Sequence, residues 1–243
     1  MIVCCPLTQI TYQLKRSARR RTIGLKIAEQ GLVVFAPSTL PQSSIDLCML
    51  EKKNWIIRHL QRRVQLPVVN HLALGKLPLL DEELTLQVVN DHCSAVTLEG
   101  QQLWVQLSAR ITPSNRQSHI EKLVTQWYER QAELWFAARL AFWQQQLAVQ
   151  FSTLKVKQWR RKWGSCDTKG VVSLNWRLLL APSWVADYVV VHELVHLRHM
   201  NHSAQFWQLV AATYPQYKQA EAYLREHQHR LFLTNARSVA QDQ

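Results

Sequence analysis

The chain has 243 residues, with 29 Lys and Arg against 17 Asp and Glu, a formal charge of +12, and 47% hydrophobic composition. That length can bury one large core, or a smaller accessory module beside a catalytic one. No apolar run approaches the roughly 20 residues needed to cross a bilayer, and Met1-Ile2-Val3-Cys4-Cys5-Pro6 lacks the charged and long apolar stretches of a secretory signal. The five cysteines, Cys4, Cys5, Cys48, Cys93 and Cys166, form neither a C-x-x-C site nor an even disulfide set. The expectation is a soluble cytoplasmic protein with reduced thiols.

From the N-terminus, Thr22 to Ala36 predicts a hairpin. Ile23, Leu25 and Ile27 alternate, Glu29-Gln30-Gly31 turns, and Leu32 to Ala36 returns. Pro41 and Ser43-Ser44 introduce one helix to about Arg63, with Ile45, Cys48, Met49, Ile56 and Leu60 at helical spacing. Short strands are expected at Leu84–Val89, Ala95–Leu98 and Leu103–Leu107. Residues 1–108 thus form a β-rich module with one helix and no catalytic pattern. Pro113-Ser114 opens a long amphipathic helix to about Leu147, whose Trp127 and Trp143 fall on the core face. A strand at Leu154–Gln158, a loop from Gly164 to Gly170 and a strand at Val171–Leu174 follow, then a helix pair, then a terminal helix from Tyr217 to His229. Residues 109–235 form the expected catalytic domain, and 236–243 a frayed end. No internal repeat is visible.

Within that domain lies Val191-His192-Glu193-Leu194-Val195-His196, followed by Leu197-Arg198-His199-Met200-Asn201-His202. On a helix, His192 and His196 project from one face, as two ligands of a tetrahedral Zn²⁺ must, and Glu193 stands beside the open position as a general base. The preceding Val185, Val189, Val190 and Val191 make this a buried helix, with Asp187 its only charge before Glu193. Buried imidazoles need partners; a metal supplies one, and backbone carbonyls are the bland alternative. His202 is the expected third ligand, reached by one turn in which Asn201 adopts left-handed backbone and Ser203 caps a helix from Ala204 to about Thr213. Glu221 or Glu226, returning from a downstream helix, is the competitor. His199 stands where metzincins carry Gly, and no Met follows Met200 to form their Met-turn, so this is not an ordinary metzincin. His199 itself is expected at the surface or supporting a neighbouring ligand.

Upstream run Arg161-Lys162-Trp163-Gly164-Ser165-Cys166 and Leu174-Asn175-Trp176-Arg177-Leu178; downstream runs Asn201-His202-Ser203-Ala204-Gln205-Phe206-Trp207. With Tyr188-Val189-Val190-Val191-His192-Glu193-Leu194-Val195-His196, these elements over about residues 155–210 resemble the YgjP-like family of metal-dependent hydrolases, related to SprT-like and WLM zincin-type metallopeptidases. Lys162 stands where the family more often has Arg. The resemblance implies an α+β fold, a zincin-like domain in which the active-site helix lies against a small antiparallel sheet, after the β-rich module. It also implies one zinc ion per chain, held by His192, His196 and His202, with Glu193 catalytic. It does not settle the substrate.

The leading expectation is a zinc metallopeptidase acting on peptide or protein, with substrate laid along a sheet edge near Lys155–Gln158. A nucleotide phosphoanhydride hydrolase is the alternative, motivated by the basic run Lys155, Lys157, Arg160, Arg161, Lys162 and Lys169, although such enzymes favour Mg²⁺ and oxygen ligands. A SprT-like, nucleic-acid-associated protease is the third, given further clusters at Lys15, Arg16, Arg19, Arg20, Arg21 and at Lys52, Lys53, Arg58, Arg62, Arg63. Solvated basic faces are the plain reading of those two clusters. Gly164 and Gly170 are expected to let the intervening loop turn tightly. Cys166 is expected as a small buried side chain there, with a fourth metal ligand or redox switch as its competitors. Trp163 and Trp176 are expected to pack the loop. Arg177, Tyr188 and Tyr214 are candidate oxyanion stabilisers.

Overall fold

The computed structural model describes residues 2–28, 31–64 and 69–234. Two compact units emerge, Met1–Pro67 and Val68–Gln243. The first holds β1 (Ile2–Cys4), β2 (Thr11–Ser17), β3 (Gly24–Ala28), β4 (Gly31–Pro37), α1 (Gln42–Glu51) and α2 (Lys53–Val64). Its sheet runs β1-β2-β4-β3, with β2 and β4 parallel and the outer pairs antiparallel. Alternation decides the faces. Tyr12 and Leu14 of β2 and Leu32, Val34 and Ala36 of β4 join Ile45, Met49 and Ile56 of the helices in one apolar core.

The second unit holds α3 (His71–Leu74), β5 (Lys76–Leu79), β6 (Glu82–Asp91), β7 (Ala95–Glu99), β8 (Gln102–Ser108) and the long α4 (Arg116–Leu147). After these come β9 (Thr153–Lys157), β10 (Gly164–Cys166), β11 (Val171–Asn175), α5 (Ser183–Val195), α6 (Ala204–Thr213) and α7 (Tyr217–His227). Its first sheet runs β5-β6-β8-β7 with the same sequence of antiparallel, parallel and antiparallel pairs as the N-terminal sheet. The topology therefore recurs where no repeat was legible in the residues. The second sheet, β10-β11-β9, pairs β10 antiparallel and β9 parallel to β11, so it is mixed and not wholly antiparallel.

Several expectations change. The division falls at 67/68 and not at 108/109, because Leu77, Leu84, Leu103, Val105 and Leu107 of β5–β8 share one core with Ile120, Val124 and Tyr128 of α4. The single helix expected to Arg63 is two, broken at Lys52, where ψ of 8° leaves the helical range. Strands β1, β2 and β5 were not anticipated. The segment from Gly164 starts as strand β10, not as a loop. The Glu29-Gln30 turn and the frayed residues 236–243 lie outside the described residues. No helix among the described residues is long and apolar enough to cross a membrane, and no disulfide joins the five cysteines.

Candidate metal centre

Helix α5 is buried around almost its whole circumference: Val185, Ala186, Tyr188, Val189, Val190, Val191, Leu194 and Val195 all lie in the core. Its N-terminus receives the Asp81 carboxylate, which accepts the Ser183 N–H at 3.1 Å, a favourable charge at that end of a helix. Its one mid-helix acid, Asp187, is matched by Arg139 of α4 through two bonds of 2.6 and 2.7 Å, with the Trp143 indole donating as well. A charge so paired costs little in the core.

His196 follows the last residue of α5 with helical backbone, φ −60° and ψ −23°, so the four-residue spacing from His192 survives. The chain then turns and brings His202 back. Asn201 is not left-handed, so it does not make the turn in the expected way. Ser203 does cap α6, its Oγ accepting from the Phe206 N–H. As a result His192, His196 and His202 each offer a ligand atom within 4.8 Å of the others. The His192 and His202 Nε2 atoms are 3.0 Å apart. Two nitrogens each about 2.0–2.1 Å from one tetrahedral ion stand about 3.3–3.4 Å apart, so this donor set fits such an ion with little adjustment.

The opposite ring nitrogens are held by protein groups. His196 Nδ1–H donates to the His199 carbonyl at 3.0 Å. His192 Nδ1 meets the Tyr188 hydroxyl at 3.4 Å, and that hydroxyl donates to Glu221 at 3.2 Å. Such bonds fix ring orientation and leave Nε2 facing the shared space. Burial, then the neighbouring His196 and His202, lowers the His192 pKa to about 3, so its imidazole is neutral, the ligating form. Phe206, fully buried on α6, packs against all three rings at 4.6–4.9 Å, and Trp207 stacks on His202.

Glu193 is 5% exposed. Its carboxylate accepts the Cys166 backbone N–H of β10. Burial pushes its pKa up to about 8 against the opposing pull of Lys162 and that N–H. The seat requires Gly164: a Cβ there would lie 2.6 Å from the Glu193 Cγ. Gly164 therefore serves by leaving space, not by turning the chain. The sheet edge beside the site is thus β10, while Lys155 and Lys157 sit on the far edge, β9.

Other expected residues divide. Tyr188 lines a cleft of about 450 Å³ with His192 and Glu193, to which Arg161, Lys162 and Arg225 bring positive charge and Trp163 and Leu224 apolar surface. Glu221 also lines it, bonded to Tyr188 and outside the imidazole group; Glu226 faces Arg225 at 3.7 Å on the surface. His199 contributes its carbonyl. Tyr214 is turned away, its hydroxyl donating to the Trp184 carbonyl at 2.7 Å. Arg177 is buried between Trp163 and Phe232 and donates to the Trp159 carbonyl, so it packs the loop and does not face the cleft. Cys166 is outside the imidazole group, and burial, Glu193 and Asp167 raise its thiol to about 11.

Nothing in the sequence marks a role for Asn175. Fully buried at the end of β11, its amide donates to the Trp159 and Lys162 carbonyls at 2.7 and 2.8 Å, and its N–H reaches the Trp163 carbonyl. It pins the loop that leads into β10. Phe206 likewise carried no assigned role; both residues stood inside the motifs.

Comparison with curated proteins finds no match. Among solved structures, the metallopeptidase zymogen of Pyrococcus abyssi abylysin aligns at 21% identity and a TM-score of 0.35, over 38% of this chain and 95% of that one. The family model of the YgjP-like metallopeptidase domain matches residues 21–227, most of the length, and on that match the chain belongs to the YgjP-like metallopeptidase family.

Proposed function

We propose that the protein is a zinc-dependent peptidase in which His192, His196 and His202 hold the metal and Glu193 is the general base. The observation that carries this reading is the convergence of three imidazoles within 4.8 Å, next to a carboxylate seated against Gly164. Three nitrogen donors suit Zn²⁺, and the ion would polarise the scissile carbonyl and acidify water. Glu193 takes the attacking water's proton at its carboxylate and returns it to the departing amine nitrogen. The Cys166 N–H orients that carboxylate throughout. Tyr188 stands at the cleft and holds His192, its hydroxyl proton given to Glu221.

The cations of the cleft, Arg161, Lys162 and Arg225, also suit a phosphate, which keeps nucleotide hydrolysis as a second reading. One experiment separates the two. Purified protein is assayed for zinc and for hydrolysis of peptide and nucleoside triphosphate panels, beside Glu193→Gln. The expected result is about one zinc per chain in both proteins, peptide cleavage by the native chain, and a loss of about 10²–10⁴-fold in the variant. Full peptide turnover by Glu193→Gln removes the general base from the mechanism; cleavage of triphosphates alone replaces the substrate class.

A further inference from the structure

The excess positive charge is not spread along the chain. Residues 1–67 carry eleven Lys and Arg against three Asp and Glu, whereas the remaining residues carry eighteen against fourteen. The two sheets of like topology differ more sharply still. Residues 2–37, spanning β1 to β4, hold six basic side chains and one acid; residues 76–108, spanning β5 to β8, hold one basic side chain and five acids. A shared topology with opposite charge means that strand geometry does not demand the basic surface.

The pairing register shows where that charge lies. Leu14, Leu25, Ile27, Leu32 and Val34 point into the N-terminal core, so Gln13, Lys15, Lys26, Val33 and Phe35 fall on the opposite face. Lys15 and Gly24 flank Phe35 across the strands, and Lys26 flanks Val33 one step further along. The exposed Arg20 places its guanidinium over the Phe35 ring, 4.9 Å from the centroid. Gly24 leaves the room for it, since a Cβ there would come within 2.9 Å of Arg20 Nη1. Lys15 and Lys26 are exposed, and none of the four strands contains an acidic residue. Counted from the hairpin turn, the position of the other sheet that corresponds to Phe35 is Gln106, which stands between Val89 and Ala95, with neither an aromatic ring nor a flanking cation.

We propose that the exposed basic side chains of this sheet face bind single-stranded nucleic acid, with bases on the Arg20 guanidinium over Phe35 and phosphates on Lys15 and Lys26. A flat guanidinium backed by an aromatic ring is a stacking surface that any unpaired base can use, and a duplex hides its base faces from it. Flanking lysines neutralise the backbone and make binding depend on salt. An anionic bilayer would meet the same charge, but it has no use for a stacking plane set between two lysines.

The test uses the full chain with three probes: a labelled 20-nucleotide oligothymidine, a duplex of equal length, and vesicles containing phosphatidylglycerol. The oligothymidine is expected to bind more tightly than the duplex and the vesicles, and to lose affinity steeply between 50 and 200 mM salt. Lys15→Glu with Lys26→Glu is expected to weaken it at least about tenfold and to flatten the salt slope by about two. Arg20→Ala is expected to weaken it further while leaving the melting temperature in place. Lys155→Glu with Lys169→Glu, on the other unit, is expected to leave it unchanged. No oligothymidine binding at 50 mM salt, equal affinity in the charge-reversed variant, or vesicle binding in its place overturns the proposal. Metal content and peptidase activity do not enter the readout, so the assignment stands or falls apart from that of the metal site.

Discussion

The imidazole group and the seat of Glu193 adjoin each other on α5, yet they are held by different kinds of structure. His192, His196 and His202 fall within eleven residues, and their supports, the Tyr188 hydroxyl, the His199 carbonyl and the Phe206 ring, come from the same short stretch. The Glu193 carboxylate rests against Gly164 and the Cys166 N–H, from a strand that precedes it by more than 25 residues and is held in register by β11. Metal retention should therefore depend on one local segment, and turnover on a long-range pairing that can be disturbed without touching the metal. The largest effect expected on the first side is that of His196→Ala. It removes a donor and should abolish both bound zinc and hydrolysis; stoichiometric zinc in the purified variant would take His196 out of the proposed ligand set.

Gly164→Ala probes the second side. The added methyl group overlaps the Glu193 Cγ, so the carboxylate must leave the Cys166 N–H. Displacing a reacting group by about 1 Å can cost about 10²-fold in rate, and that drop in kcat/KM is expected with zinc still at one per chain. Zinc lost together with activity would mean that the two halves are one structure and the contrast does not hold.

Tyr188→Phe tests the border between them. It deletes the hydroxyl that joins His192 Nδ1 to Glu221 but keeps the packing of the ring. Loss of such a support typically costs about 10–100-fold in metal affinity, measurable by competition with a chelator. If affinity holds and kcat falls instead, the hydroxyl acts on substrate and not on the metal side.

The same contrast explains how much was legible in the residues. The spacing of His192, His196 and His202 and the Ser203 cap are local, and local periodicity announces them. The seat was not legible in this way. Gly164 looked like a turn residue because nothing in R-K-W-G-S-C says which side chain will pass over it; that follows only once Gly164 pairs with Leu174. Tyr214 and Arg177 were plausible oxyanion stabilisers by type, and tertiary contacts commit them elsewhere. In β2 the alternation of Tyr12 and Leu14 was present, but four inward and outward positions before a basic run gave too short a pattern to stand out. The boundary at residue 108 failed for a related reason: β5 to β8 resemble the first sheet in kind, and only their shared core with α4 assigns them to the second unit.

The smallest expected effect belongs to Cys166, where sequence left a metal ligand, a redox switch and simple packing all open. The site uses the backbone of this residue, because its N–H is what Glu193 accepts. Its thiol is half-buried, lies outside the imidazole group and is raised to about 11 by burial and by the adjoining Glu193 and Asp167 carboxylates. The thiolate is the form that binds metal and attacks alkylating agents, and at pH 7 this thiol stays protonated. Cys166→Ser keeps the backbone donor and nearly the same volume, so zinc content should be unchanged and turnover should stay within about threefold, the range of a tolerated small-residue swap. Alkylation by iodoacetamide should be slow at pH 7 and accelerate only as pH climbs towards 11. Rapid modification at neutral pH, or zinc missing from Cys166→Ser, would restore the thiol as a member of the site and bring the strand into the metal-binding half.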